Sequence, residues 1–274
     1  MNTKTFAVTL PFYLALNSCL VVALGFLFYC EQPNFLLLLA AFLATYSVYS
    51  LNKATDKAED EINQTGLDPK STKFFMVSAF IAMSLSLVIG LMSSPLAAGV
   101  LITPMVVGLV YSVKLSKDIP RIKEISGIKS VSVAFCWAFT GSVLPVVTQP
   151  ILWEKVILVF LYIFFNILVN TILFDVLDMK GDLTSGVKTI PHLIGLSKTK
   201  KLLFGINSCI FFWIAYCILR GYFLNYLPAL LFGIFYVYFL LIYFSKNQHL
   251  RLRAGFMIDG EWIPITLLMA ICLR

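Results

Sequence analysis

Two groups of acidic residues have a spacing that stacks carboxylates on single helical faces. The first is Asn52, Asp56 and Asp60, spaced i, i+4, i+8, with Glu59 beside them. The second is Asp175, Asp178 and Asp182, spaced i, i+3, i+7. Residues three and four apart share a helix face, so each group reads as a stripe of negative charge. Like charges at this spacing repel by about 0.2–0.5 kcal/mol per pair, and a divalent cation with oxygen ligands relieves that repulsion. Mg²⁺ typically takes a carboxylate or two, several waters and the oxygens of a substrate phosphate. With Mg²⁺ between them, acids that would repel a diphosphate instead bind it and stabilise it as a leaving group. Neighbouring lysines can contact the remaining phosphate oxygens. A single stripe of this kind reads more readily as solvated acids balancing nearby lysines. Two stripes at equivalent places, each adjoining an apolar helix, favour a metal site.

The elements that must position these acids are apolar. Hydrophobic residues make up 59% of the 274-residue chain and charged residues only 13%, with a mean hydropathy of +0.89. A water-soluble surface usually needs about 25% charged residues, so a soluble core is excluded. Runs without Asp, Glu, Lys or Arg recur along the chain, and the longest, 74–113, is interrupted at Ser93-Ser94-Pro95. At about 1.5 Å per residue that run crosses a hydrocarbon layer of about 30 Å twice, with a helix start at Pro95. Backbone groups in lipid must be satisfied internally, and the runs are too long for barrel strands. The fold class expected is an all-α integral membrane protein, a bundle of about nine transmembrane helices in one domain over 1–274. The helices are expected near 6–29, 34–51, 74–93, 95–113, 130–148, 153–174, 202–219, 222–245 and 254–273.

Charge sets the orientation. Of the 21 Lys and Arg residues, all but Lys155, Arg220 and Arg274 fall at the N-terminus or in the loops after the second, fourth, sixth and eighth helices. Basic loops stay cytoplasmic, which places the N-terminus and both Asp-rich motifs on the cytoplasmic side of a cell membrane in a multi-pass protein. The net charge of +7 follows from this bias, with attraction to anionic membrane lipid second. No basic run is interleaved with exposed aromatics, so nucleic acid is not an expected partner. The first apolar run is longer than a signal-peptide core and reads as a retained helix. Six cysteines, almost all inside apolar runs and without a C-x-x-C pair, read as small buried hydrophobes. The sequon Asn63-Gln64-Thr65 falls in a cytoplasmic loop, where glycosylation is not expected.

At the two acidic motifs the chain resembles the UbiA superfamily of intramembrane prenyltransferases, which have nine transmembrane helices and two aspartate-rich motifs. N-x-x-x-D-x-x-x-D is matched by Asn52, Asp56 and Asp60, and D-x-x-D-x-x-G-D by Asp175, Asp178, Gly181 and Asp182. Similar too are the stretch from Gly186 to Gly195, Tyr111-Ser112 with the stretch from Arg121 to Lys129, and Asp259-Gly260-Glu261-Trp262. The chain departs from the family where Lys53 follows Asn52, and where Asp68-Pro69-Lys70 stands in place of an Arg-Pro-rich stretch. The resemblance implies Mg²⁺-dependent transfer of a prenyl group from an isoprenoid diphosphate to a lipophilic or aromatic acceptor, through an allylic carbocation. It implies two Mg²⁺ ions held by Asp56, Asp60, Asp175, Asp178 and Asp182 as the catalytic set, assisted by Asn52. It also implies phosphate contacts from Lys123, Lys129 and Lys188, with Tyr111 in the substrate site. Quinone-precursor rings, a glycerol-phosphate lipid and a tetrapyrrole all stay open as acceptors.

Asn166 and Asn170, spaced i, i+4 inside the sixth helix, must face the bundle interior. They shape the acceptor pocket or, more readily, hydrogen-bond a neighbouring helix, with Asn170 counted among the substrate-binding residues. Asp259 and Glu261 read as active-site groups or as residues near a shallow helix end, and His192 and His249 as structural loop residues. The alternative from another class is a cation-coupled secondary transporter using the same acids. Transporter sites lie near the membrane midplane at broken helices, whereas these acids sit at helix ends beside basic loops. An alcohol phosphatidyltransferase ranks third because the chain lacks its D-G-x-x-A-R run.

Overall fold

A computed structural model describes residues 3–55, 69–112, 121–125, 127–150, 152–179, 182, 187–246 and 251–273. Asp56, Asp60, Asn63, Gly181, Gly186 and His249 lie outside the described residues. Among those described there is no strand, and nine helical stretches are long and apolar enough to cross a membrane. The helices are α1 (Thr3–Phe28), α2 (Phe35–Thr55), α3 (Pro69–Ser93), α4 (Pro95–Ser112), α5 (Ile128–Val143) and α6 (Trp153–Leu177), then the short α7 (Ile190–Ile194), α8 (Leu196–Arg220), α9 (Leu227–Lys246), α10 (Arg251–Asp259) and α11 (Trp262–Cys272).

Local chemistry explains the boundaries. The long apolar run is cut at Ser94, whose Oγ accepts the Ala97 N–H at 3.0 Å while Pro95 occupies the first helical position, where its missing N–H is harmless. Helix α3 begins at Pro69, before the charge-free run starts at 74, because Lys70 and Lys73 sit in its polar first turns. In the same way α8 begins at Leu196 and carries Lys198, Lys200 and Lys201 at its start. Long basic side chains can snorkel out of such helix ends, so a search for charge-free runs trims them. The ninth span is two helices rather than the one expected over 254–273. Pro264 lies four residues after Gly260, and a proline ring clashes with the carbonyl four residues before it. A side chain at Gly260 would meet the Phe256 carbonyl oxygen and, at 3.0 Å, the Tyr13 hydroxyl. The helix therefore breaks at Gly260-Glu261.

Helices α1 and α6 form the centre. Their spans are each 61% buried inside the protein, against 28% for α3. Helix α1 touches α2, α5, α10 and α11, and α6 lies between α5 and α8. Helix α3 covers α2 and α4 and turns Phe74, Val77, Ile81, Leu85, Val88 and Met92 outward. In water that stripe would be a liability, but toward lipid it matches the solvent. At the end opposite the second Asp motif, Phe28, Tyr162, Trp213, Phe223 and Tyr226 pack edge-on or stacked. Tyr226 donates to the Leu27 carbonyl at 2.5 Å and Trp213 to the Leu158 carbonyl at 2.9 Å. Glu154 accepts from Tyr216 at 2.7 Å, Arg220 at 2.9 Å and Tyr222 at 3.0 Å, joining the start of α6 to the end of α8. A groove lined by Glu154, Ile157, Phe212 and Tyr216 also lies at that end.

Helices α1 and α5 approach so closely that only glycine fits at their crossing. A Cβ on Gly25 would collide with the Gly141 carbonyl oxygen and lie 2.8 Å from Pro145. Relief would require backbone movement in a packed bundle, and overpacking costs about 1–3 kcal/mol even where side chains can adjust. Gly25→Val is expected to lose at least about 3 kcal/mol. Gly99→Ala, with nothing within 4 Å, should be neutral or slightly stabilising. Thermal melting of the two variants in detergent, monitored by far-UV circular dichroism, checks both.

Candidate active site

The second Asp motif closes α6. Asp175 lies in its last turns and is 3% exposed. Asp178 is the C-cap residue, its N–H donating to the Phe174 carbonyl at 2.9 Å, and the Asp182 N–H donates to the Asp178 carbonyl at 3.0 Å. The neighbouring start of α5 supplies the counter-charge. Gly127, with a φ of 78°, takes the left-handed turn that brings the chain into α5 and sets Lys129 in its first turn. Lys129 Nζ lies 3.0 Å from Asp175 Oδ1, 3.1 Å from Asp182 Oδ1 and 3.2 Å from Asp182 Oδ2. Ser130 Oγ donates to Asp175 Oδ2 at 2.6 Å. Both oxygens of Asp175 are thus engaged, and one ammonium bridges two carboxylates. Tyr111, at the end of α4, is close enough to interact electrostatically with Lys129.

The other residues singled out in the sequence divide clearly. Asn52 Oδ1 accepts from Ser112 Oγ at 2.9 Å, which ties the end of α2 to the end of α4. Lys123 is 3% exposed in a single 3₁₀ turn, Ile122–Glu124. That turn is braced by Glu124, which accepts from the Arg121 backbone N–H at 3.0 Å and from Arg121 Nε at 2.8 Å. Lys188 is exposed and forms no ion pair among the described residues. Asn170 Nδ2 donates to Glu261 Oε1 at 2.8 Å across to the broken ninth span, and Asn166 Nδ2 to its own helix at Tyr162 O. Glu261, at that break, is fully buried. No group of three or more His, Cys, Asp or Glu side chains among the described residues is close enough to hold a metal.

Two cavities lie beneath this surface. One, of about 110 Å³, is lined by α1, α2, α4 and α5, with Val21, Val48 and Val107 on apolar walls and Asn52, Tyr111 and Ser112 at its polar end. The other, of about 220 Å³, is lined by α1, α2, α5, α6 and α10 together with Trp262 of α11, and holds Asn17, Asn170, Asp178 and Asp259. Tyr49, Val133 and Trp137 line both, and Trp137 Nε1 donates to the Tyr49 hydroxyl at 3.2 Å between them. Tyr49 stands one turn before Asn52, so the end of α2 and the end of α6 face adjacent cavities. The arrangement suits a molecule with an anionic head and a long apolar tail.

His192 is more than a loop residue. Its Nδ1 pairs with the Thr189 hydroxyl at 2.8 Å and its Nε2 with the Met179 carbonyl at 2.9 Å, directly after Asp178. Sequence reading gives its structural role but not these partners, and it misses Ser130, Tyr49 and Trp137, because each acts through a partner distant in the chain. The signal that existed is Thr189-x-x-His192, a helix-capping spacing. Loss of this tether should cost about 1–2 kcal/mol. His192→Ala is expected to speed amide exchange around Met179, read by hydrogen–deuterium exchange, with far less change at the aromatic end.

The family model described as the UbiA prenyltransferase family matches residues 8–258. Among solved structures, the apo form of a UbiA homologue from Aeropyrum pernix K1 superposes with a TM-score of 0.72 at 11% identity, covering 96% of this chain and 99% of that one. A UbiA homologue from Archaeoglobus fulgidus bound to DMAPP and Mg²⁺ gives 0.71 at 15% identity, covering 98% and 99%. A digeranylgeranylglyceryl phosphate synthase gives 0.63 at 16% identity, covering 96% and 98%. At these identities the structural likeness establishes the fold. No curated protein matches the sequence.

Proposed function

Because the chain belongs to the UbiA prenyltransferase family, we propose that it transfers a prenyl group from an isoprenoid diphosphate to a lipophilic or aromatic acceptor, releasing pyrophosphate. The observation that carries the reading is Lys129, held by Asp175 and Asp182 at 3.0–3.2 Å beside cavities whose walls are largely apolar. The A. fulgidus homologue bound to DMAPP and Mg²⁺ supports the same donor class.

The donor set fits Mg²⁺, which favours hard oxygen ligands. Asp178 and Asp182 of the second motif, with Asp56 and Asp60 of the first, would hold the two ions, and Asp175 would chiefly anchor Lys129. When bound, Mg²⁺ neutralises the diphosphate and stabilises it as a leaving group. The protein's own groups do the rest. Lys129, with Lys123 and Tyr111 on the same approach, orients the phosphate oxygens. Asn52 and Ser112 fix the rim at which the head meets the tail. The allylic carbon–oxygen bond breaks with its electron pair leaving on the diphosphate. The acceptor then bonds to that carbon and loses a proton. Between the cavities, Tyr49 and Trp137 offer aromatic faces that stabilise positive charge without acting as nucleophiles, while the apolar walls exclude water that would quench it. The tail occupies the first cavity, and both motifs face the cytoplasm.

Removal of metal tests the reading. In lipid nanodiscs the protein should retain radiolabelled geranyl diphosphate with Mg²⁺ and release it on addition of EDTA, with pyrophosphate production following the same dependence. Retention and turnover that ignore EDTA would refute it.

A further inference from the structure

We infer that the cavity shared by Asn17, Asn170 and Asp259 is the acceptor site and that it selects an uncharged acceptor carrying a hydroxyl or carbonyl group. The inference rests on the prenyl-transfer reading and deepens it. Three observations converge on it.

The first is unmet hydrogen bonding. Asn17 and Asn170 are 2% and 3% exposed and both line the cavity. Asn170 Oδ1 has no partner, and Asn17 Nδ2 makes no hydrogen bond within normal distance, though the Tyr13 hydroxyl is close by. The Asn170 amide is oriented by Glu261, which takes its Nδ2, so its oxygen is left as an acceptor. A buried polar atom without a partner costs about 1–3 kcal/mol, which a ligand group can recover. One open donor and one open acceptor match a hydroxyl, which does both, or a carbonyl beside a hydroxyl.

The second is charge. The cavity is lined by Asp178 and Asp259 and by no described Lys or Arg. Beside Asn17 and Asn170, a carboxylate or phosphate on the acceptor would meet Asp259 and no described Lys or Arg. A desolvated anion left there without a cationic side chain is disfavoured. Lys123 and Lys129 lie at the diphosphate end rather than in this cavity's lining, so charge is recognised on the donor and refused on the acceptor.

The third is place. Asp178 lines this cavity, and its partition from the apolar cavity is the Tyr49–Trp137 pair. A polar group bound to Asn17 and Asn170 therefore sits below the motif that holds the diphosphate and across a thin wall from the tail.

Matched acceptor pairs test this in nanodiscs with geranyl diphosphate and Mg²⁺: 4-hydroxybenzyl alcohol against 4-hydroxybenzoate, 1-naphthol against hydroxynaphthoate, and dialkylglycerol against its phosphate. Product is read by mass spectrometry and pyrophosphate separately. The uncharged member of at least one pair should be prenylated at least tenfold faster than its anionic partner. Asn170→Leu should raise KM for that acceptor at least tenfold while Mg²⁺-dependent geranyl diphosphate retention stays unchanged. Thr171→Lys, which places a cation in the cavity lining, should shift preference toward the anionic member. Preference for the anionic member, or pyrophosphate release with neither member of any pair prenylated, overturns the inference. Absence of Mg²⁺-dependent geranyl diphosphate retention would instead overturn the prenyl-transfer reading itself.

Discussion

Asp178→Asn is expected to lower Mg²⁺-dependent pyrophosphate release about a thousandfold, equivalent to about 4 kcal/mol of lost transition-state stabilisation, with the fold intact. The change conserves size and backbone bonding. The Asp178 N–H donates to Phe174 and its carbonyl accepts from Asp182, and Asn keeps both bonds. A melting shift beyond about 0.5 kcal/mol is therefore not expected. What disappears is one negative charge where the second motif faces the acceptor cavity. A carboxylate that holds a divalent cation against a diphosphate acts where negative charge grows on the leaving oxygen, the interaction that most affects rate. Excess Mg²⁺ should recover part of the loss, and the apparent Mg²⁺ affinity should fall. Turnover within tenfold of wild type, with unchanged Mg²⁺ dependence, would remove Asp178 from the metal site.

Much of the architecture is legible because lipid imposes few choices. Long runs without charge must be helices, and basic residues mark their ends, so the spans emerge from composition alone. The second Asp motif emerges from helical spacing. What spacing does not give is which atoms face one another. Ser130 looks like one more small residue at the head of an apolar run, yet it takes one oxygen of Asp175 at 2.6 Å. Asn17, in the first helix, carries no local signal, and its importance depends on α1 lying beside α6 and α10. Asn170 was ambiguous between a neighbouring helix and a pocket, and the break at Gly260 reconciles the two by bringing Glu261 under its amide. That break was itself visible, since Pro264 stands four residues after Gly260, but the apolar run around it reads as continuous. Lys188 is exposed, and its phosphate contact rests on its position in a family-like stretch alone. Spacing along a helix finds groups that share a face; it does not find pairs joined across one.

Lys129→Met should damage both stability and activity, and the two losses can be separated. The side chain is 22% exposed, against 4% for Asp175 and 13% for Asp182. Breaking a buried ion pair costs about 3–5 kcal/mol, and discounting for the water that reaches Lys129 leaves about 2–3 kcal/mol. The penalty falls on Asp175, whose remaining partner is the Ser130 hydroxyl and whose near neighbour Asp182 carries the same charge. Lys129→Met with Asp175→Asn should recover much of the stability, since a neutral amide oxygen still accepts from Ser130 and the more buried of the two charges is removed, leaving Asp182, 13% exposed, as the one that loses Lys129. Turnover should not recover, because the ammonium proposed to contact the phosphate is still missing. If the double variant melts as low as Lys129→Met alone, stranded charge is the wrong cause and the lysine stem acts by packing. If the single variant turns over at the wild-type rate, the ammonium holds the fold alone and the diphosphate is gripped elsewhere.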